Sequence, residues 1–157
     1  MRVEELMTKQ VANCQPSDNL GKAAKLMWDA DCGAIPIVGS DGIVKGMITD
    51  RDICMACFMR NQPPASISIQ DAMSQKLYSC TPDTSVSDAE NLMRSNRVRR
   101  IPVVDRRGKL VGVLSLADIA REVDRSRGHA SREITPEEVV SVLGGISQPQ
   151  QRAGQSF

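Results

Sequence analysis

Aromatic side chains are nearly missing from this chain: one Trp, one Tyr and two Phe make up 3% of its 157 residues. Proteins that hold single-stranded nucleic acid stack successive bases on rings, so this composition argues against that class. An excess of one charge sign is missing too. Twenty Lys plus Arg stand against 19 Asp plus Glu, for a formal net charge of +1, and no global field draws the chain to nucleic acid or an acidic membrane. Long apolar runs are absent: Ala34 to Val38 and Leu110 to Leu116 fall far short of the ~20 residues that span a bilayer. The start, Met1-Arg2-Val3-Glu4-Glu5, leads into no apolar export segment, so the cytoplasm is the expected compartment. Histidine is confined to His129, in the polar stretch Arg125 to Arg132, which leaves no base to pair with a core nucleophile, and no enzymatic activity is expected. Five cysteines, an odd number in a chain with no export signal, read as reduced thiols, most of them small core residues.

What the chain has is an internal repeat. Val3 to Met55 can be laid on Ile69 to Arg121 without a gap. Met7 then falls on Met73, Cys14 on Cys80, Pro16 on Pro82, and Leu26-Met27 on Leu92-Met93. Ile35-Pro36 meets Ile101-Pro102, Gly42 meets Gly108, Gly46 meets Gly112, and Asp52-Ile53 meets Asp118-Ile119. A long period present only twice predicts two pseudo-symmetric halves packed on each other, with ligand sites at the seam.

Each unit reads in one order. A short apolar stretch, Val11 to Cys14 or Leu77 to Cys80, ends near a proline and predicts a first strand. Cap candidates Ser17-Asp18-Asn19 or Thr84-Ser85 precede apolar residues at spacings of three and four, an amphipathic helix. Ala34 to Val38 and Ile43 to Ile48 flank a Ser40-Asp41-Gly42 turn, as Ile101 to Val104 and Leu110 to Leu114 flank Arg107-Gly108, predicting hairpins. A last helix follows Thr49 or Ser115. The expected fold is α/β of the α+β kind, two β-α-β-β-α units packed as one module. Unit 1 spans residues 1–60, a proline-rich linker 61–68, unit 2 residues 69–124, and an extension 125–157. Thr135-Pro136-Glu137-Glu138 starts a short helix to Leu143, and the Gln-, Pro- and Gly-rich tail from Ser147 onward is expected to be disordered.

The chemistry concentrates in Gly46-Met47-Ile48-Thr49-Asp50-Arg51-Asp52 and its echo Gly112-Val113-Leu114-Ser115-Leu116-Ala117-Asp118. A hydroxyl followed three residues later by a carboxylate makes a capping box, which alone needs no ligand. The same helix N-terminus offers free N–H groups to a phosphate, with Thr49 or Ser115 beside them. Asp52 or Asp118, an acceptor with two oxygens, suits a sugar diol, and Gly46 and Gly112 would let a ligand approach the backbone. Arg99 and Arg100 immediately precede the strand that ends at such a site and are phosphate candidates; Arg97, Arg106 and Arg107 complete a basic cluster.

On these residues the chain resembles the CBS domains, in the tandem pairs called Bateman modules, over about residues 1 to 124. The carriers are the tandem period, the Ile-Pro-Ile/Val-Val strands and the two Gly-h-x-Thr/Ser-x-x-Asp stretches, where h is apolar. Cys32-Gly33-Ala34-Ile35-Pro36-Ile37-Val38 with Ile48-Thr49-Asp50-Arg51-Asp52-Ile53 looks like small stand-alone bacterial CBS-pair proteins. The resemblance implies a sensor that binds an adenosine-containing ligand (AMP, ADP, ATP or NAD) as a regulatory ligand and not a required cofactor, with AMP favoured. It places the ribose on Asp52 or Asp118 and phosphate near Thr49 or Ser115. It puts the adenine between Val11, Ala12, Ile35 and Pro36, or between Leu77, Tyr78, Ile101 and Pro102. By the same analogy the chain is expected to form a homodimer and to act on an unidentified partner protein.

Two departures make the clefts unequal. Leu116-Ala117 replaces Asp50-Arg51, so the second motif lacks the cation Arg51, and Ala34 stands where unit 2 has Arg100. Cys54-Met55-Ala56-Cys57 is also an i, i+3 pair on one helical face, with no second C-x-x-C, so no metal site is expected. Trp28 reads as a packing or dimer-contact residue and the helical methionines as core. The alternative is a ligand-independent or cysteine-redox-responsive stress protein of the same fold, with Cys14, Cys32, Cys54 and Cys57 carrying the signal.

Overall fold

The computed structural model describes residues 1–126 and 134–148. His129 and the tail beyond residue 148, for which the sequence predicts disorder, lie outside the described residues.

The repeat appears as two matching sets of elements. In unit 1, α2 (Leu20–Asp29) leads to β1 (Ala34–Val38), β2 (Val44–Thr49) and α3 (Asp50–Arg60). In unit 2, α4 (Val86–Asn96) leads to β3 (Arg100–Val104), β4 (Leu110–Ser115) and α5 (Leu116–Arg125). α2 starts where the Asn19 side chain accepts from the Lys22 N–H, and α4 where Ser85 accepts from the Asp88 N–H. Each hairpin is antiparallel with a register shift at its end, between Ile37 and Val38 and between Val103 and Val104. Gly42 and Gly108 take the positive φ their turns require, 80° and 79°, a region that costs glycine little.

The expected first strands are shorter than the apolar stretches suggest. Each is a single parallel bridge, Cys14 to Ile37 and Cys80 to Val103, because the neighbouring residues turn away into loops before a second rung forms. Two features were not anticipated. A short helix, α1 (Val3–Leu6), opens unit 1, and Pro64–Ser66 and Ile69–Asp71 form single 3-10 turns. The last helix, α6 (Pro136–Ile146), begins at the expected Pro136 and runs past Leu143.

The cores cut across the repeat. Ile67 and Ile69, which lead into unit 2, are buried in the unit 1 cluster with Leu20, Ile35, Ile37 and Ile48. Val3, which leads into unit 1, is buried in the unit 2 cluster with Ile101, Val103 and Leu114. Reciprocal backbone bonds fix this exchange. Thr8 and Val113 bond to each other at 2.9 and 3.0 Å, and Met47 and Ser74, their counterparts under the repeat, at 3.2 and 2.9 Å. The hairpin tips join the same way: the Val44 N–H donates to Gly108 O and the Leu110 N–H to Gly42 O. Each lead-in segment thus lies on the other unit, and the two halves form one body around a pseudo-two-fold axis.

This crossing corrects the role given to Gly46 and Gly112. A Cβ on Gly46 would stand 2.2 Å from the Ser74 carbonyl oxygen, and one on Gly112 would stand 2.9 Å from the Thr8 carbonyl oxygen. The space beside each glycine is filled by the crossing chain and is not open to a ligand. The methionines also divide: Met27 and Met93 are core, but Met55 and Met59 are exposed.

Candidate functional site

Both Thr/Ser-x-x-Asp motifs lie at the junction of a strand and a helix, as their sequence predicts, and both form capping boxes. The Asp52 N–H donates to Thr49 Oγ1 at 3.1 Å, and the Thr49 N–H donates to Asp52 Oδ2 at 2.9 Å. Around Ser115 the equivalent bonds are 3.2 and 2.8 Å, and the Ser115 hydroxyl adds a third to Asp118 Oδ2 at 2.5 Å. Capping therefore consumes one carboxylate oxygen of each aspartate.

The second oxygen distinguishes the two sites. Asp118 Oδ1 is held by Arg121, one turn along α5. Met55 stands at the equivalent place on α3, and Asp52 Oδ1 has no hydrogen-bond partner among the described residues. A half-buried carboxylate oxygen at a helix N-terminus, with helical N–H dipoles nearby, is a strong acceptor for a hydroxyl pair. In unit 1 that acceptor is open; in unit 2 it is closed by a salt bridge.

Cations are distributed the opposite way. Arg100 is half-buried and pairs across the sheet with Ser115, and the Arg99 carbonyl accepts from the Leu116 N–H, the first of α5. Both arginines thus flank the unit 2 helix start. At the unit 1 helix start Ala34 pairs with Thr49, and the nearest cation in sequence is the exposed Arg51, on the first turn of α3.

The expected adenine walls separate by strand face. Val11, Ala12, Leu77 and Tyr78 are half-buried, with Lys76 Nζ 5.5 Å from the Tyr78 ring centre. Pro36 and Pro102 are buried on one face of their strands. Ile35 and Ile101, one residue earlier, point to the opposite face and are 0% exposed inside the two cores. They support the wall from behind and do not face the seam.

Two cavities were not legible in the sequence. One, of about 310 Å³, opens at the seam between Lys9, Val11, Asn13, Val38 and Gly42 of unit 1 and Lys109 and Leu110 of unit 2. Of the expected site residues only Val11 lines it, and it lies at the hairpin-tip end of β1, away from Thr49. No sequence pattern could have found Lys9 and Lys109, because they come together only where the hairpin tips pair. The other, of about 700 Å³, lies between α2 and α3 and is lined by Met27, Trp28, Cys32, Ile53, Cys54 and Cys57 among others.

All five cysteines are free thiols. Cys14 and Cys80 are buried, and burial pushes both thiols up, Cys80 to about 11, which lowers their reactivity. Among the described residues no group of three or more His, Cys, Asp or Glu side chains could hold a metal ion, and no helix is long and apolar enough to cross a membrane.

Residues 3–58 and 69–125 each match the CBS domain. A curated relative, the CBS domain-containing protein YhcV of Bacillus subtilis, is 39% identical over 118 residues, covering 75% of this chain and 82% of the relative. The crystal structure of Hypoxic Response Protein I with two coordinated zinc ions is 31% identical, with a TM-score of 0.70 over 77% of this chain and 98% of that one. The crystal structure of CBSX2 in complex with AMP is 25% identical, with a TM-score of 0.69 over 79% of this chain and 96% of that one.

Proposed function

This chain belongs to the CBS-domain family, with two CBS domains in tandem, and from that premise we propose that it is a regulatory module that binds AMP at the unit 1 helix start. The open Asp52 Oδ1 carries the reading. It accepts the ribose hydroxyls while Oδ2 stays in the capping box. Val11, Ala12 and Pro36 supply the apolar wall, and the Thr49 hydroxyl and the Arg51 guanidinium meet the phosphate. The AMP complex of a relative 25% identical in sequence supports the ligand class.

At the second site, Asp118 must give up Arg121 before it can accept a ribose, so unit 2 binds more weakly. There Ser115, Arg99 and Arg100 meet phosphate, and Leu77, Tyr78 and Pro102 line the base. Occupancy is read by a partner protein through the relative arrangement of the two units, which the crossing segments couple, and two copies of the chain pair. Raised thiol pKa values at Cys14 and Cys80 weigh against a thiol signal at those two positions.

Isothermal titration with AMP, ADP, ATP, NAD and S-adenosylmethionine tests the reading on wild type, Asp52→Asn and Asp118→Asn. AMP heat lost in Asp52→Asn and largely kept in Asp118→Asn is expected. No heat from any of these ligands with the wild-type protein would overturn it.

A further inference from the structure

In unit 2, α6 fills a slot whose twin in unit 1 is open. α6 lies over α4 and α5 and sends Val142 and Ile146 into the cluster that holds Met93, Ile119 and Val123. Gly145 meets the Arg94 side chain so closely that a Cβ there would stand 2.5 Å from Arg94 Cγ. The repeat carries Met93, Arg94, Ile119 and Val123 onto Met27, Trp28, Ile53 and Cys57. Those four line the 700 Å³ groove between α2 and α3. The groove is therefore shaped by the same helix pair that receives α6 on the other side of the pseudo-dyad.

The large apolar side chains exposed among the described residues lie on α2 and α3 in unit 1 and on α6. Trp28, 86% exposed, lines the open groove, and Phe58, 78% exposed, stands one turn after the groove-lining Cys54, whereas Met55 and Met59 lie on another face of α3. Val140 and Leu143 lie on the outward face of α6. Next to Leu143, one turn beyond Val140, stands Gly144, whose Cβ position has nothing within 4 Å. A glycine inside a helix weakens it relative to alanine. Gly145 is explained by its contact with Arg94, whereas nothing among the described residues requires Gly144. Its small size suits close approach by a surface from outside the chain.

We propose that the outward face of α6 from a second copy occupies the α2–α3 groove, and that a two-fold dimer makes this contact twice. Trp28 packs over Gly144, and Val140 and Leu143 enter the groove. Aromatic side chains bury about 150–250 Å² each, so Trp28 and Phe58 supply about 300–500 Å² per contact. Two contacts bring each copy near the ~800 Å² per partner of a standard interface. α6 is then held between its own α4–α5 pair and the partner's α2–α3 pair. The inference rests on the pairing of copies proposed above and assigns its surfaces.

Sedimentation of the full chain tests it. Wild type is expected to be a dimer, and Trp28→Glu and the double variant Val140→Glu/Leu143→Glu are each expected to be monomers. An equimolar mixture of the two variants restores dimers, because one intact groove meets one intact α6. Gly144→Gln, which fits open space in the single chain and suits a helix better, keeps or raises thermal stability while weakening the dimer at least tenfold. A monomeric wild type would overturn the proposal, as would a dimer that persists in the α6 double variant and in Gly144→Gln. Titration with AMP keeps this apart from the nucleotide reading, because neither surface includes Thr49 or Asp52.

Discussion

Glu90 is the most sensitive internal probe of how α6 is held. It sits on α4 beneath α6, 5% exposed, and its Oε1 has no hydrogen-bond partner. Burial raises its pKa from the ordinary 4.5 to about 7; Glu138 on α6 adds to the rise, and Arg94 on α4 opposes it. Because the folded pKa lies above the unfolded one, the folded state keeps the proton between those values. The associated stability is fully present below about pH 4.5 and is lost as pH rises through 7. At about 1.4 kcal/mol per pH unit, the loss is about 3 kcal/mol by pH 8. Glu90→Gln removes the ionisation and leaves a side chain of the same size. Its melting temperature should match wild type near pH 4.5 and exceed it by about 6–12 °C at pH 8, taking 2–4 °C per kcal/mol for a chain of this length. Thermal unfolding of both proteins from pH 4.5 to 8.5 is the assay. Parallel curves across that range would refute the argument.

Three further outcomes are expected. Asp52→Ala loses both the cap and the ribose acceptor, whereas Asp52→Asn keeps an oxygen for the Thr49 N–H. Both should lose AMP binding by about 10–100-fold, from the 1.5–3 kcal/mol of a hydrogen bond to a charged group. Only the alanine variant should also lose about 1 kcal/mol of stability in denaturant unfolding. Gly46→Ala forces a methyl against the Ser74 carbonyl and should cost about 1–3 kcal/mol, read as a lower urea midpoint; an unchanged midpoint would show that the crossing segment yields freely. Thiol labelling of the native protein should be fast at the exposed Cys54 and should reach Cys14 and Cys80 only on unfolding, so rapid labelling of all five would contradict the burial described.

The expectation that fared best was also the most local. The Thr49 and Ser115 capping boxes depend on residues three apart, and a hydroxyl before a helix with a carboxylate at its third position needs no distant help. The hairpins followed from Gly42 and Gly108 between apolar runs, and the cap residues Asn19 and Ser85 from their own side chains. The wall residues fared worse, because a strand's alternation says that Ile35 and Pro36 face opposite ways without saying which faces the seam. Gly46 and Gly112 were legible as places of close approach, but what approaches them arrives from the other half of the chain.

By itself the sequence determined the two-unit architecture, the order of the long helices and hairpins and the helix starts where the candidate aspartates lie, because these rest on contacts between residues two to four apart and on a repeat in register. Tertiary structure alone decided that Val3 and Ile69 lie in each other's unit, that Arg121 closes Asp118 while Asp52 stays open, and that Lys9 and Lys109 line one cavity at the seam. It also decided that one of two equivalent helical slots is filled by α6. Those outcomes depend on burial and on pairing between distant segments, and a repeat that looks symmetric along the chain becomes unequal only when its halves are packed.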